Sequence, residues 1–283
     1  MAGFVEKRFR TRDGLSLYYR DYANPHSNKA TVLCLSGTTQ NSRVFEELAD
    51  HLVNQRRVLC MDWRGHGRSD HDPDWRHYTF PELRDDILEL LATERIPNVV
   101  IIGTSVGGII AIQLAPHRPE VITGAIINDA GPVMGEAGRK RVQEFMGLTM
   151  EFDSVEDASR EIKARAVPGI TLSDQEWLER TRRTFRRRAD GKVVPDMDPD
   201  YGRGFRERQG SGDPWPAWDA MRPIPALAIR GAVSDILDRT VLAEMKRRKP
   251  DLEVAEVPGR GHCPHLDEPE ALRAIDDFLA RVP

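Results

Sequence analysis

Short runs of aliphatic and β-branched residues alternate along the chain with longer stretches whose apolar positions recur every three or four residues. The segment RFRTRDGLSLYYRDY reads as a hairpin turning at Asp13-Gly14. ATVLCLSG (30–37) is nearly continuous in apolar residues, as a strand covered on both faces requires. In 43–54 the residues Val44, Leu48 and Leu52 fall at helical spacing, and Arg57 to Met61 returns to a strand. A helix follows over 80–93, with Phe80, Leu83, Ile87 and Leu91 on one face. NVVII is the next strand, Val106 to Leu114 the next helix, and VITGAIIND (121–129) another buried strand. This β-α-β-α rhythm predicts an α/β protein with a mostly parallel sheet and helices on both faces. Ligands of such sheets bind beyond the carboxyl ends of the strands, so residues just after strands hold the candidate chemistry.

The rhythm changes near residue 133. Residues 134–214 are highly charged and mostly helical in pattern, as in EAGRKRVQEFMGL, SVEDASREIKARA and SDQEWLERTRRTFRRR, the last with Ser173 placed to cap it. Strand rhythm resumes with IPALAIRG (224–231), a helix near 238–248, LEVAEVPG (252–259) and a last helix near 268–281. The pattern predicts a core of 1–133 and 215–283, interrupted by a helical lid over 134–214.

Composition narrows the function classes. With 40% hydrophobic and 30% charged residues over 283 positions, the chain suits a packed domain and not a disordered one. A formal net charge of −4 gives no global field for nucleic acid, which is not expected as a partner. The N-terminus MAGFVEKRFRTRDG lacks the apolar core of a signal peptide, and no stretch approaches the roughly 18 apolar residues of a membrane span. Cys34, Cys60 and Cys263 are few, odd in number and far apart, which suits a reducing cytoplasm and not a disulfide framework. With no CxxC and no HExxH, no metal site is expected.

The candidate chemistry sits at GTSVGG (103–108), between NVVII and an apolar helix. G-x-S-x-G at a strand-to-helix junction is the nucleophile-elbow pattern: the serine occupies a strained turn, and its neighbours must be small. Ser105 would also stand at a helix N-terminus, where the dipole and free N–H groups favour a developing anion. A serine hydroxyl needs a base, and the base an orienting acid. His262, in VPGRGHCPHLDEP, follows a strand and a Gly-rich loop; Asp235, in IRGAVSD, follows another strand. Asp129 also ends a strand, in IINDAGP, and is the alternative acid.

Taken together, SGTTQNS (36–42), DWRGHGRSD (62–70), GTSVGG, NDAGP (128–132), RGAVSD (230–235) and GRGHCPHLDEP (259–269) resemble the α/β-hydrolase superfamily, lid-bearing subgroup, in the expected order. The resemblance implies Ser105 as nucleophile, Asp235 as acid and His262 as base. It implies an oxyanion hole from the N–H groups of Val106 and Thr38. Members usually carry His-Gly where this chain has Ser36-Gly37, so the support of that loop is open. The implied activity is cleavage of a carboxylic ester, lactone or thioester of a small to medium acid, with no metal or organic cofactor. Rivals are C–C bond hydrolysis of a diketone-like compound, a cofactor-free dioxygenase relying on a His/Asp pair, and a binding protein that has lost catalysis.

Further residues carry weaker signals. His265 is a reserve base, His66 a minor catalytic candidate, and Asp62 and Arg64 are read as loop ties. Trp215 and Trp218, where the lid rejoins the core, are candidate acyl-pocket residues. The six arginines of ERTRRTFRRR (179–188) read as a solvated helix face, with clamping of a substrate carboxylate as the alternative. The expected partner is a small-molecule substrate, with no membrane contact, and the protein a monomer or homodimer.

Overall fold

The computed structural model describes residues 3–145, 150–207 and 213–283. In chain order, β1 (Val5–Arg10) and β2 (Ser16–Tyr22) form the hairpin, followed by β3 (Thr31–Leu35), α1 (Glu46–Leu52), β4 (Val58–Met61), α2 (Phe80–Thr93), β5 (Val99–Thr104), α3 (Val106–Leu114) and β6 (Ile122–Asn128). After β6 come α4 (Glu136–Phe145), α5 (Val155–Ala164), α6 (Asp174–Thr184), β7 (Phe185–Arg187), β8 (Val193–Pro195) and α7 (Pro199–Glu207). The chain then runs through α8 (Trp215–Asp219), β9 (Ala226–Gly231), α9 (Arg239–Arg248), β10 (Glu253–Val257) and α10 (Pro269–Arg281).

The large sheet has the order β1-β2-β4-β3-β5-β6-β9-β10. Only β1–β2 and β2–β4 are antiparallel; from β4 onward the neighbours are parallel. Side chains alternate across it with the strand period of two. Leu33, Leu35, Leu59, Ile101 and Ile127 face one core with residues of α2, α3, α8 and α9. Val32, Cys34, Cys60, Ile102 and Ile126 face the other with residues of α1 and α10. The central strands β3, β4, β5 and β6 read as nearly continuously apolar because each face meets a helix layer. Among the described residues no helix is long and apolar enough to cross a membrane.

The loop ties behave as their residue types suggest. Asp62 accepts from the backbone N–H of Ser42 at 2.6 Å and of Arg68 at 2.9 Å. Arg64 is buried and paired in a fork with Asp86 at 2.6 and 2.8 Å, and it also reaches Asp13 and Asp72.

One helical expectation is corrected. The arginine-rich helix stops at Thr184, and Phe185–Arg187 pairs antiparallel with Val193–Pro195. The reason lies in the turn and in packing: Gly191 takes φ +88°, and Phe185 and Val193 are buried together against Phe152. Helical continuation would have carried Phe185 away from that cluster. The segment EAGRKRVQEFMGL is helical from Glu136 to Phe145; its last residues lie outside the described ones.

Arg56 closes the far end of the fold. Among the described residues no Asp or Glu pairs with its fully buried guanidinium; it donates to the carbonyls of Leu279 at 2.5 Å, Val282 at 2.7 Å and Ala30 at 3.3 Å, and also to Pro283. These include carbonyls that the last turn of α10 leaves without intrahelical partners. Arg56→Met should therefore lower stability by about 2–4 kcal/mol, because it keeps the packing and strands buried acceptors. Urea unfolding measures the loss, and an unchanged midpoint would refute this account.

Candidate active site

Ser105 stands between β5 and α3 with φ +51° and ψ −113°, a left-handed conformation that side chains avoid. Its neighbours are glycines because there is no room for more. A Cβ on Gly103 would lie 2.4 Å from the backbone of Gly107, and one on Gly107 would lie 2.2 Å from the carbonyl of Leu35. The Ser105 N–H is fixed by the carbonyl of Asn128 at 2.9 Å, so the turn is anchored to the neighbouring strand.

His262 lies across the strand ends. Its Nε2 is 3.0 Å from the Ser105 Oγ, and its Nδ1 is 2.6 Å from the Asp129 Oδ2. With the ring proton on Nδ1 donated to the carboxylate, Nε2 is the acceptor facing the serine hydroxyl. The imidazole is 15% exposed and the carboxylate wholly buried, so the base faces a cavity while its acid is shielded from water.

The partner of His262 is therefore Asp129 and not Asp235, which corrects the expected assignment. Asp129 follows β6 with φ +52°, which swings its side chain across the end of β9. There Oδ2 also accepts from the Ser234 hydroxyl at 2.6 Å, and Oδ1 from the Gly231 N–H at 3.1 Å. Three donors meet the buried carboxylate. Asp235, also at the end of β9, points instead to Arg141 of α4, in a two-point pair of 2.6 and 2.8 Å. Burial raises the Asp235 carboxyl, but the Arg141 guanidinium outweighs it and holds the group below its ordinary value. Sequence order alone does not separate the two acids. The missed signal is Arg141, a cation in the charged segment that claims Asp235.

The loop after β3 abuts the serine: a Cβ on Gly37 would sit 3.3 Å from the Ser105 Cβ. Its carbonyls are tied down from the loop after β4. Trp63 Nε1 donates to the Ser36 carbonyl at 2.9 Å, and His66 Nε2 to the Thr38 carbonyl at 2.6 Å. The other His66 nitrogen is 3.1 Å from the Arg64 carbonyl. Burial pushes the His66 imidazole below its ordinary value, the two carbonyls pulling it up. The Thr38 N–H has no protein partner among the described residues, and the Val106 N–H heads α3, where no intrahelical acceptor exists.

Other expectations are placed as follows. His265 does not reach Ser105; its Nε2 is buried without a partner, and burial with Arg180, Arg260 and Arg183 nearby pushes it down to about 2. Burial pushes the Cys263 thiol up to about 12 against the pull of Arg180, so it stays protonated. Trp215 and Trp218 do not line the cavity, contrary to expectation. Trp218 is fully buried and donates to the Met245 carbonyl at 3.1 Å, and Trp215 stacks with Arg248 at 4.6 Å. Both are apolar anchors of α8 on the core, and the tryptophan that does reach the cavity is Trp177 of α6.

The cavity has a volume of about 860 Å³ and opens onto Ser105, His262, Gly37 and Thr38. Much of its wall comes from residues after β6, including Val142, Phe145, Ile162, Ile170 and Phe185. That wall is mostly apolar, as a small-molecule site requires.

The sheet order, the strained serine after β5 and the histidine after β10 agree with one family model, the alpha/beta hydrolase family, which matches residues 32–275. The chain belongs to the alpha/beta hydrolase family. It is similar to a 3-hydroxybutyrate-oligomer hydrolase of Cupriavidus necator, 28% identical over 270 residues that cover 92% of each chain. It is also similar to the esterase YbfF of Escherichia coli, 27% identical over 90% of this chain and 95% of that one. Among solved structures, an alpha/beta hydrolase of Novosphingobium aromaticivorans superposes with a TM-score of 0.93 and 34% identity, each chain covered in full. Family and relatives make the chain a hydrolase.

The Arg141–Asp235 pair has a pH signature of its own. A carboxyl held low in the fold stabilises it fully above the ordinary value of 3.8 and loses that contribution as pH falls through its lower folded value. Asp235→Asn should cost about 1 kcal/mol near neutrality, and the gap to the wild type should close below pH 3.8. Thermal melts from neutral to acid pH read both, and a gap that persists in acid would show the pair is not its source.

Proposed function

We propose that this protein is a serine hydrolase of carboxylic esters, acting through an acyl-enzyme on Ser105. The observation that carries the reading is the continuous chain from Ser105 Oγ to His262 Nε2, and from His262 Nδ1 to Asp129. His262 takes the serine proton as Oγ attacks the ester carbonyl, and the imidazolium formed is stabilised by the buried Asp129 carboxylate. Negative charge gathers on the carbonyl oxygen, which the Thr38 and Val106 N–H groups receive. His262 then gives its proton to the leaving alcohol. Water, deprotonated by the same histidine, resolves the acyl-enzyme and restores the serine. Lactones and thioesters fit the same steps. The esterase among the relatives supports the ester class.

The segment 134–214 acts as a lid in this reading, because its residues roof the cavity over the serine and Arg141 ties α4 to the core. C–C bond hydrolysis of a diketone-like compound would use the same relay, and the structure offers the other two rival readings no comparable support. A dioxygenase working through His262 and Asp129 alone has no use for a serine strained into hydrogen-bond contact with the base. A binding protein has no use for a fully assembled relay.

His66 is a positioning residue here. By holding the Thr38 carbonyl it fixes the residue whose own N–H is the second oxyanion donor in this reading, and so serves the role left open by the missing His-Gly motif.

Three outcomes are expected. A fluorophosphonate should give a single adduct on Ser105, located by peptide mass spectrometry and lost in Ser105→Ala; well-folded protein without an adduct would overturn the reading. Asp129→Asn should lower kcat on 4-nitrophenyl butyrate by roughly 10³–10⁴-fold, because the tautomer is then wrong, whereas Asp235→Asn should stay within about tenfold of the wild type. The reverse order would return the acid to Asp235. His66→Ala should lower kcat by about 10–100-fold with KM nearly unchanged, and His66→Gln should recover part of it. A change in KM alone would refute the positioning role.

A further inference from the structure

The arginine run at the end of α6 divides into two groups in space. Arg183 pairs with Glu47, Arg186 with Asp196 at 3.5 Å, and Arg188 with Glu151 and Asp190 at 2.6 and 2.5 Å. Arg182 faces Glu156 at 3.6 Å, and Arg187 donates to the Gly191 carbonyl at 2.6 Å. These five side chains are spent on surface contacts. Arg180 alone of the six lines the cavity.

Arg180 has no carboxylate partner among the described residues. Its one hydrogen bond is to the Cys263 carbonyl at 3.3 Å, the residue next to the base. The guanidinium lies 5.5 Å from the ring centroid of Trp177, which also lines the cavity. None of the neighbouring carboxylates pairs with Arg180 among the described residues, and two of them are engaged elsewhere. Arg260 takes Glu268 at 2.9 Å and Glu176 at 3.3 Å, and Glu268 also accepts the backbone N–H groups of His265 and Leu266. Glu268 and Asp267 reach Arg180 only through space, and Arg260 opposes them. The other cavity arginines are neutralised, Arg141 by Asp235 and Arg165 by Glu161 at 2.6 Å. Burial disfavours the charged guanidinium. A partly buried cation on a mostly apolar wall, held by one long bond, lacks the anion that would offset its desolvation.

We propose that Arg180 binds a carboxylate carried by the substrate, so that the preferred esters are anionic half-esters or acyloxy acids. The inference rests on the serine-hydrolase reading, and it adds the class of substrate. A carboxylate would meet the planar fork of the guanidinium while its aliphatic chain lies on the apolar wall. The ester carbonyl would then sit at Ser105, against His262, the backbone neighbour of the Cys263 whose carbonyl Arg180 touches.

The test compares the wild type, Arg180→Ala, Arg180→Lys and, as a surface control, Arg182→Ala. The substrates are 4-nitrophenyl hydrogen glutarate, with the carboxylate on the acyl side, 3-butyryloxypropanoate, with it on the alcohol side, and neutral 4-nitrophenyl butyrate. Fluorophosphonate labelling of Ser105 is measured in every variant. Labelling should persist throughout, which separates failure of this proposal from failure of the serine mechanism. Arg180→Ala should raise KM at least about tenfold on one of the anionic esters and leave the neutral ester within about twofold. Arg180→Lys should recover part of the loss, and Arg182→Ala should change neither. The side on which KM moves assigns the carboxylate to the acyl or the alcohol half. An equal loss on neutral and anionic esters, or no loss on any, would overturn the proposal.

Discussion

The Asp129 carboxylate is the constraint on which the site depends. It is wholly buried, and a charge there persists only if donors surround it. Those donors, Gly231, Ser234 and His262, all lie more than 100 residues from Asp129 in sequence. Satisfying the carboxylate therefore draws the end of β9, the loop after it and the loop after β10 toward the end of β6. The Ser105 N–H bonds to Asn128, the residue before the acid, so the strained elbow is tied to the same point. Ser105, His262 and Asp129 are held to one another by hydrogen bonds that satisfy the buried carboxylate.

Much of this was legible because it was local. The central strands announce themselves by apolar runs, the serine by glycines that leave no room for a Cβ, and the histidine by its place after the last strand. The Asp13-Gly14 hairpin is a property of a few adjacent residues. The acid was not legible in that way. Asp129 and Asp235 both follow strands, and β6 and β9 are adjacent and parallel. What separates them is a positive φ at Asp129 and an arginine in α4 about a hundred residues upstream of Asp235. Neither leaves a trace in the neighbouring letters.

The same limit explains the aromatic residues and the arginine run. Trp215 and Trp218 lie at a junction in sequence, but their large surfaces are covered by the core beneath α8. Six arginines in ten residues look like one solvated face. Their fates diverge because the helix ends at Thr184: the later ones join a hairpin at the surface, while Arg180, a turn earlier, looks inward. The loop after β3 lacks the family's histidine, yet a histidine from the loop after β4 reaches the Thr38 carbonyl. A supporting contact can thus be supplied from another part of the chain.

The Arg141–Asp235 pair has a consequence for the electric field at the base. Asp235 is near enough to His262 for the two to act on each other through space, as Arg141 is to Asp129. Two uncompensated carboxylates at neighbouring strand ends would concentrate negative potential on the space between them. Arg141 cancels one of them, so the histidine works beside a single effective negative charge. A cation on the first helix after β6 thereby sets the charge balance around a ring to which it makes no hydrogen bond. A substitution there would leave Asp235 as a second bare negative charge near the ring, although none of the three hydrogen-bonded groups had moved.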